Sequence, residues 1–185
     1  MPTMPSVVQF FVLLSTVHVF GQKTQFNFKR RVSLNDKKNS AISWLSDDKS
    51  ITIRAEYGTQ GWLGVGFSPK GEMGGADIVI AWIDKNGKGQ ISDRHASSNG
   101  FPPADSKQDY KLLDSSKNAT HTVITFHRLL KTGDKEDLDL TTNAVTNLIW
   151  AYNDAIPESN DAIAYHDGNR GALRNVNLLS PKAKN

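Results

Sequence analysis

Ile51-Thr52-Ile53-Arg54-Ala55-Glu56 alternates apolar and polar side chains with a period of two. Successive residues of an extended strand point to opposite faces, so this stretch reads as a β-strand with one face buried and the other wet. Val123, Ile124 and Phe126 repeat the theme. Outward from these, short β-branched and aromatic segments recur at residues 26–34, 41–45, 62–67, 77–82, 89–95, 110–113, 148–152 and 173–179. No helical periodicity is sustained for three turns, and a count of this kind predicts an all-β sandwich. Asp84-Lys85-Asn86-Gly87 is a strong hairpin turn, and Asn99-Gly100-Phe101-Pro102-Pro103 cannot continue a strand. Gaps this short suit antiparallel hairpins better than parallel crossovers.

The 185 residues have room for one domain, expected over residues 25–180, followed by a flexible tail at 181–185. Residues 1–21 hold no charged side chain and carry the apolar run Val7-Val8-Gln9-Phe10-Phe11-Val12-Leu13-Leu14. That run has the length of a signal-peptide core and is short for a membrane span. The expectation is a secreted, extracellular protein with no membrane span and a mature chain beginning near Gln22 or Lys23. Asn118-Ala119-Thr120 is then a candidate glycosylation site at Asn118.

The net charge is +3, with both signs interspersed and no basic run longer than Lys29-Arg30-Arg31, which argues against nucleic acid as a partner. The chain has no cysteine, so a disulfide framework, thiolate nucleophiles and thiolate metal sites are excluded. Its histidines, His18, His95, His121, His127 and His166, form no closely paired motif. Gly-x-Ser-x-Gly is missing, so nothing supports a hydrolytic triad.

The run Gly61-Trp62-Leu63-Gly64-Val65-Gly66-Phe67-Ser68-Pro69, followed by Gly71-Glu72-Met73-Gly74-Gly75-Ala76-Asp77-Ile78-Val79-Ile80, resembles the signature of DOMON domains. Ile91-Ser92-Asp93-Arg94, Gln108-Asp109-Tyr110, Leu148-Ile149-Trp150-Ala151-Tyr152 and Tyr165-His166-Asp167-Gly168-Asn169-Arg170-Gly171 continue it. They follow the order of the amino-terminal domain of dopamine beta-hydroxylase-like monooxygenases. The resemblance implies a two-sheet antiparallel β-sandwich, immunoglobulin-like in its layering. In those monooxygenases the copper chemistry belongs to further domains, so a binding module is expected here rather than an enzyme.

Two sites are implied by the same resemblance. The first is a hard-cation site, calcium by its all-oxygen shell, with Asp77 and Asp109 as carboxylate ligands and Ile78 and Arg94 as carbonyl ligands. The alternative is that Asp77 and Asp109 only accept hydrogen bonds from backbone amides at strand ends. The second is haem b, because Met73 and His166 stand where the cytochrome members of the family hold iron between a methionine and a histidine. The alternative leaves Met73 capping an apolar pocket and His166 bonded in a turn. A sugar is a further candidate ligand, with Trp62, Trp82 and Trp150 as aromatic faces, although a strand tryptophan is more often core. The expected partners are thus a small ligand, haem or sugar, or another extracellular protein.

Overall fold

A computed structural model describes residues 25–34, 37–140 and 145–179, with the side chain of Val145 left out of the description. The leader at 1–21 and the tail at 181–185 lie outside the described residues. Every expected strand is present: β1 (Arg30–Ser33), β2 (Ala41–Ser46), β3 (Ser50–Tyr57), β4 (Trp62–Ser68), β5 (Ala76–Ile83), β6 (Gly89–Ala96), β7 (Lys111–Lys117), β8 (Thr122–Leu129), β9 (Val145–Asn153) and β10 (Arg170–Asn177). They form two five-stranded antiparallel sheets, ordered β1-β2-β3-β8-β7 and β10-β9-β4-β5-β6. Among the described residues no helix is long and apolar enough to cross a membrane.

The sandwich core follows from the alternation. Ile53 pairs with Trp44 on one side and Phe126 on the other, and Ala55 pairs with Ile42 and Ile124, so the middle of one face of the first sheet is apolar, with Arg128 and Thr122 towards its ends. Against it pack Leu63, Val65, Phe67, Val79, Ala81 and Leu148 of the second sheet, all at most 1% exposed. The partners of Ile53 and Ala55 along the chain, Thr52, Arg54 and Glu56, face outward with Val123. The β5–β6 hairpin turns at Gly87, whose φ of 79° suits glycine. Asp84 Oδ1 accepts the Asn86 and Lys88 N–H groups, each at 2.9 Å, and caps the turn.

The second sheet departs from the one-sided pattern. Strands β4 and β5 are buried along their whole length, on both faces. Their sequences show why: Trp-Leu-Gly-Val-Gly-Phe-Ser and Ala-Asp-Ile-Val-Ile-Ala-Trp-Ile hold almost no outward polar residue. The outward residues Trp62, Ile78, Ile80 and Trp82 form a second apolar cluster, joined by Met73, Ile149, Ala151, Ile156 and Ile163. Loops at 69–75, 97–104 and 154–169 rise around that face and build the site described next.

Candidate functional site: a glycine-floored groove and an acidic end

The outer face of the second sheet carries a groove of about 730 Å³. Its floor is made by two glycines. Gly64 pairs with Ile80 and Ala151, and Gly66 pairs with Ile78 and Ile149, so each glycine sits where the neighbouring strands present apolar side chains. A Cβ on Gly66 would come within 2.7 Å of Ile149 Cγ1 and 3.1 Å of Ile78 Cγ1. The missing side chain at Gly66 is replaced by the Ile149 and Ile78 side chains leaning in, and both glycines line the groove among apolar carbons.

Met73 and His166, 93 positions apart in sequence (166 minus 73), both line this groove. Met73 is held by a compact turn after β4. Ser68 Oγ accepts the N–H of Gly71 at 2.9 Å and of Glu72 at 3.0 Å, and donates to the Glu72 carbonyl at 2.6 Å. The Ala76 N–H then returns to the Met73 carbonyl at 3.0 Å. His166 precedes a turn in which Asp167 has a φ of 52° and the Asn169 N–H donates to the His166 carbonyl at 2.9 Å. His166 Nδ1 lies 2.9 Å from the Asp167 carbonyl oxygen. A carbonyl can only accept, so Nδ1 carries the proton and the neutral ring keeps its free lone pair on Nε2.

The walls are fixed by buried polar contacts. Trp62 Nε1 donates to the Ala164 carbonyl at 3.0 Å, tying the 154–169 loop to β4. Arg94, fully buried on β6, donates from one guanidinium nitrogen to the Pro102 carbonyl at 2.7 Å and from the other to the Asn160 carbonyl, and stacks over Phe101 at 4.9 Å. One side chain thus joins two loops that line the groove. Sequence reasoning gave Arg94 only a carbonyl role, because nothing in the spacing reveals which loops will arch over β6. All four tryptophans are at most 7% exposed, in keeping with a strand tryptophan being more often core, although Trp62 also lines the groove. Trp150 belongs to the sandwich core, where Gly171 leaves space for its indole. The exposed aromatics at the groove are Phe101 and Tyr165.

The residues expected to hold a cation lie at one end of the sandwich. Asp77 is fully buried on the inner face of β5 and is already engaged. Its Oδ1 accepts the Tyr110 hydroxyl at 2.6 Å, and its Oδ2 accepts the Leu138 N–H at 3.1 Å and the Arg128 guanidinium, which reaches across from β8. Burial pushes the Asp77 carboxyl up, against the opposing pull of Arg128. Burial also lifts the Tyr110 hydroxyl well above its ordinary value. Asp109 stands apart, with its N–H donating to Asp93 Oδ2 at 2.9 Å and its Oδ2 3.0 Å from Lys107 Nζ. Ile78 turns its side chain to the groove face.

The carboxylates gathered with Asp77 are instead Asp93 and Asp137, with one oxygen of each within 4.8 Å of the others. Buried Asp93 Oδ1 and Asp137 Oδ2 have no hydrogen-bond donor, whereas Asp109 Oδ2 is engaged by Lys107. Burial, reinforced by the charges of Asp137, Asp77 and Asp105, pushes the Asp93 carboxyl up to about 8 despite the Asp109 amide. Sequence reasoning passed over both. Asp93 stood in the Ser-Asp-Arg motif and could have been found from the inward phase of β6, whereas Asp137 lies in an acidic loop without a period to read.

The structure is thus a two-sheet sandwich with a loop-walled groove on an outer face. The chain belongs to the DOMON domain family, which matches residues 36–153. It is 36% identical over 159 residues to mouse DBH-like monooxygenase protein 1, covering 86% of this chain and 25% of that protein. It is 40% identical over 123 residues to MOXD1 homolog 2 of Drosophila melanogaster, covering 65% of this chain and 16% of the relative. The chain therefore spans a quarter or less of the length of these relatives. Among solved structures, the cytochrome domain of Myriococcum thermophilum cellobiose dehydrogenase superposes with a TM-score of 0.62 at 16% identity, over 82% of this chain and 85% of that one. The cytochrome b domain of pyranose dehydrogenase from Coprinopsis cinerea gives 0.59 at 18% identity, over 77% and 78%. At these identities the likeness concerns the fold.

Proposed function

We propose that this DOMON domain is an extracellular ligand-binding module whose groove would hold haem b, with Met73 and His166 as the residues that would bind its iron. The observation that carries the reading is the shared lining: Gly64 and Gly66 floor an apolar groove, and a thioether and an imidazole line the same groove. A volume of about 730 Å³ falls within the range of small-molecule and cofactor sites. The likeness to two cytochrome domains supports it. When bound, haem would supply single-electron transfer at its iron, and a Met/His pair favours a raised potential. The chain's own residues exclude water with Ile78, Ile80 and Ile149, orient His166 through Asp167, and place the cationic Arg170 at the groove. Secretion through the leader at 1–21 belongs to the same proposal.

Titration of the folded chain with haem b, followed at the Soret band, tests this directly. One equivalent should be taken up, and Gly66→Val, which fills the floor, should abolish uptake while leaving the far-ultraviolet circular dichroism unchanged. Uptake undiminished in Gly66→Val, or none in the wild type, would refute it. A wild type that ignores haem but binds a sugar with a glycine-sensitive affinity would transfer the groove to carbohydrate.

A second reading concerns calcium near Asp77 and Asp109, with the carbonyls of Ile78 and Arg94 as further candidate ligands. The donor-less buried oxygens of Asp93 and Asp137 favour it, since hard oxygens in a buried cluster suit such an ion. Against it stands Arg128, which already neutralises Asp77. Asp93→Asn should then weaken calcium binding; an unchanged isotherm would leave Arg128 as the resident cation.

A further inference from the structure

Beyond the Asp77 cluster, the loops at the same end hold a separate group of carboxylates. Asp105 lies on the β6–β7 connection, and Asp134 and Glu136 lie on the β8–β9 connection. One carboxylate oxygen of each falls within 4.8 Å of those of the other two. Asp105 is only 7% exposed. Its Oδ1 accepts the Lys107 N–H at 3.0 Å, whereas its buried Oδ2 has no donor. Contact with Asp105 and its charge push the Glu136 carboxyl up. Two carboxylates in contact repel unless a proton or a cation lies between them. Lys107 does not fill that role, being 3.0 Å from Asp109 and 4.0 Å from Asp134. His95 Nδ1 lies 2.7 Å from the Glu136 carbonyl oxygen and so faces the loop backbone.

We propose that Asp105, Asp134 and Glu136 form a second, solvent-accessible site for a hard divalent cation, of which calcium is the class member that extracellular fluid supplies. Three carboxylates from two connections, completed by water, give the oxygen shell such an ion requires. Asp105 anchors the ion from within, while exposed Glu136 leaves an entry path. The bound cation straps the β6–β7 connection to the β8–β9 connection. The first of these also supplies Phe101 and Pro102 to the groove wall and returns to β6 through the Arg94–Ala104 bridge just before Asp105. The site depends neither on haem in the groove nor on a cation at Asp77.

Calorimetric titration with calcium chloride, in chelator-treated full chain at pH 7 and 0.15 M salt, tests it. The wild type should bind with Kd in the range of about 10⁻⁴ to 10⁻³ M, as extracellular modules do. The Asp134→Asn/Glu136→Gln double variant, which keeps the side-chain shapes and the Asp134 oxygen that accepts the Glu136 N–H, should lose that binding event or weaken it at least about tenfold. Its circular dichroism and metal-free Tm should stay those of the wild type, and Asp93→Asn should retain the event. An isotherm unchanged in the double variant, no calcium uptake by the wild type, or an event abolished by Asp93→Asn alone would overturn the proposal. Loss in the double variant with Asp93→Asn indistinguishable from wild type would support this site and retire the inner one.

Discussion

Arg94 illustrates how one buried side chain sets the shape of a site it does not enter. Its guanidinium spans the carbonyls of Pro102 and Asn160, and lysine, with a single ammonium, cannot make both bonds in that fork geometry. Arg94→Ala should cost about 2–4 kcal/mol in chemical denaturation, since two charge-assisted bonds vanish and two carbonyls lose their donor. It should also weaken ligand binding in the groove, with faster hydrogen exchange confined to the two loops. Unchanged exchange there would place the loops under other control.

Asp93 carries the clearest pH dependence. Its carboxyl, pushed up to about 8 by burial, stays neutral in the folded chain where an unfolded chain ionises it above about 4. A raised acid stabilises the fold fully below the unfolded value, and this contribution is lost as pH rises toward 8. In chelator-treated protein, the denaturation free energy should therefore fall between pH 5 and pH 8.5. Asp93→Asn should flatten that slope. An equally steep slope in the variant would move the titration to another group.

Among the elements, β8 connects the two sheets electrostatically. Arg128 leaves the first sheet, ion-pairs with Asp77 of β5 and lies over the rings of Phe67 and Tyr110 at 5.5 and 5.4 Å. Removing one partner of a buried pair strands the other, so Arg128→Ala should destabilise by about 3–5 kcal/mol. An Arg128→Met/Asp77→Asn double variant should recover much of that loss in the same denaturation measurement. At the other end of β8, the β7–β8 turn presents Asn118 on the surface, its Oδ1 accepting the N–H groups of Thr120 and His121 at 2.9 Å each. Secretory expression should yield a glycan there, seen as a mass increment that an endoglycosidase and Asn118→Gln both remove.

The strands were legible because alternation is local: β3 and β8 announce their faces residue by residue. Trp62–Ser68 was legible as a strand, but its two-sided burial was not, since the cover comes from loops as far as 102 positions away. The Asp77–Arg128 pair, 51 positions apart, escaped for the same reason, as pairing across two sheets leaves no spacing to read. Met73 and His166 could be nominated only through a resemblance, and the topology then brings both to one trough.

At the scale of the whole molecule, one sheet-to-sheet core supports two chemically distinct regions. The β10-β9-β4-β5-β6 sheet turns an apolar, glycine-floored face to its loops, while carboxylates collect at the end where β6, β8 and their connections meet. The groove is the central claim. Its most direct test is the visible absorption spectrum of the haem-loaded protein, oxidised and then reduced with dithionite, in the wild type, Met73→Ala and His166→Ala. Six-coordinate ligation by these two residues should give sharp α and β bands on reduction in the wild type, lost in each variant. Sharp bands that persist in both variants, or a wild type whose spectrum is that of free haem, would contradict it.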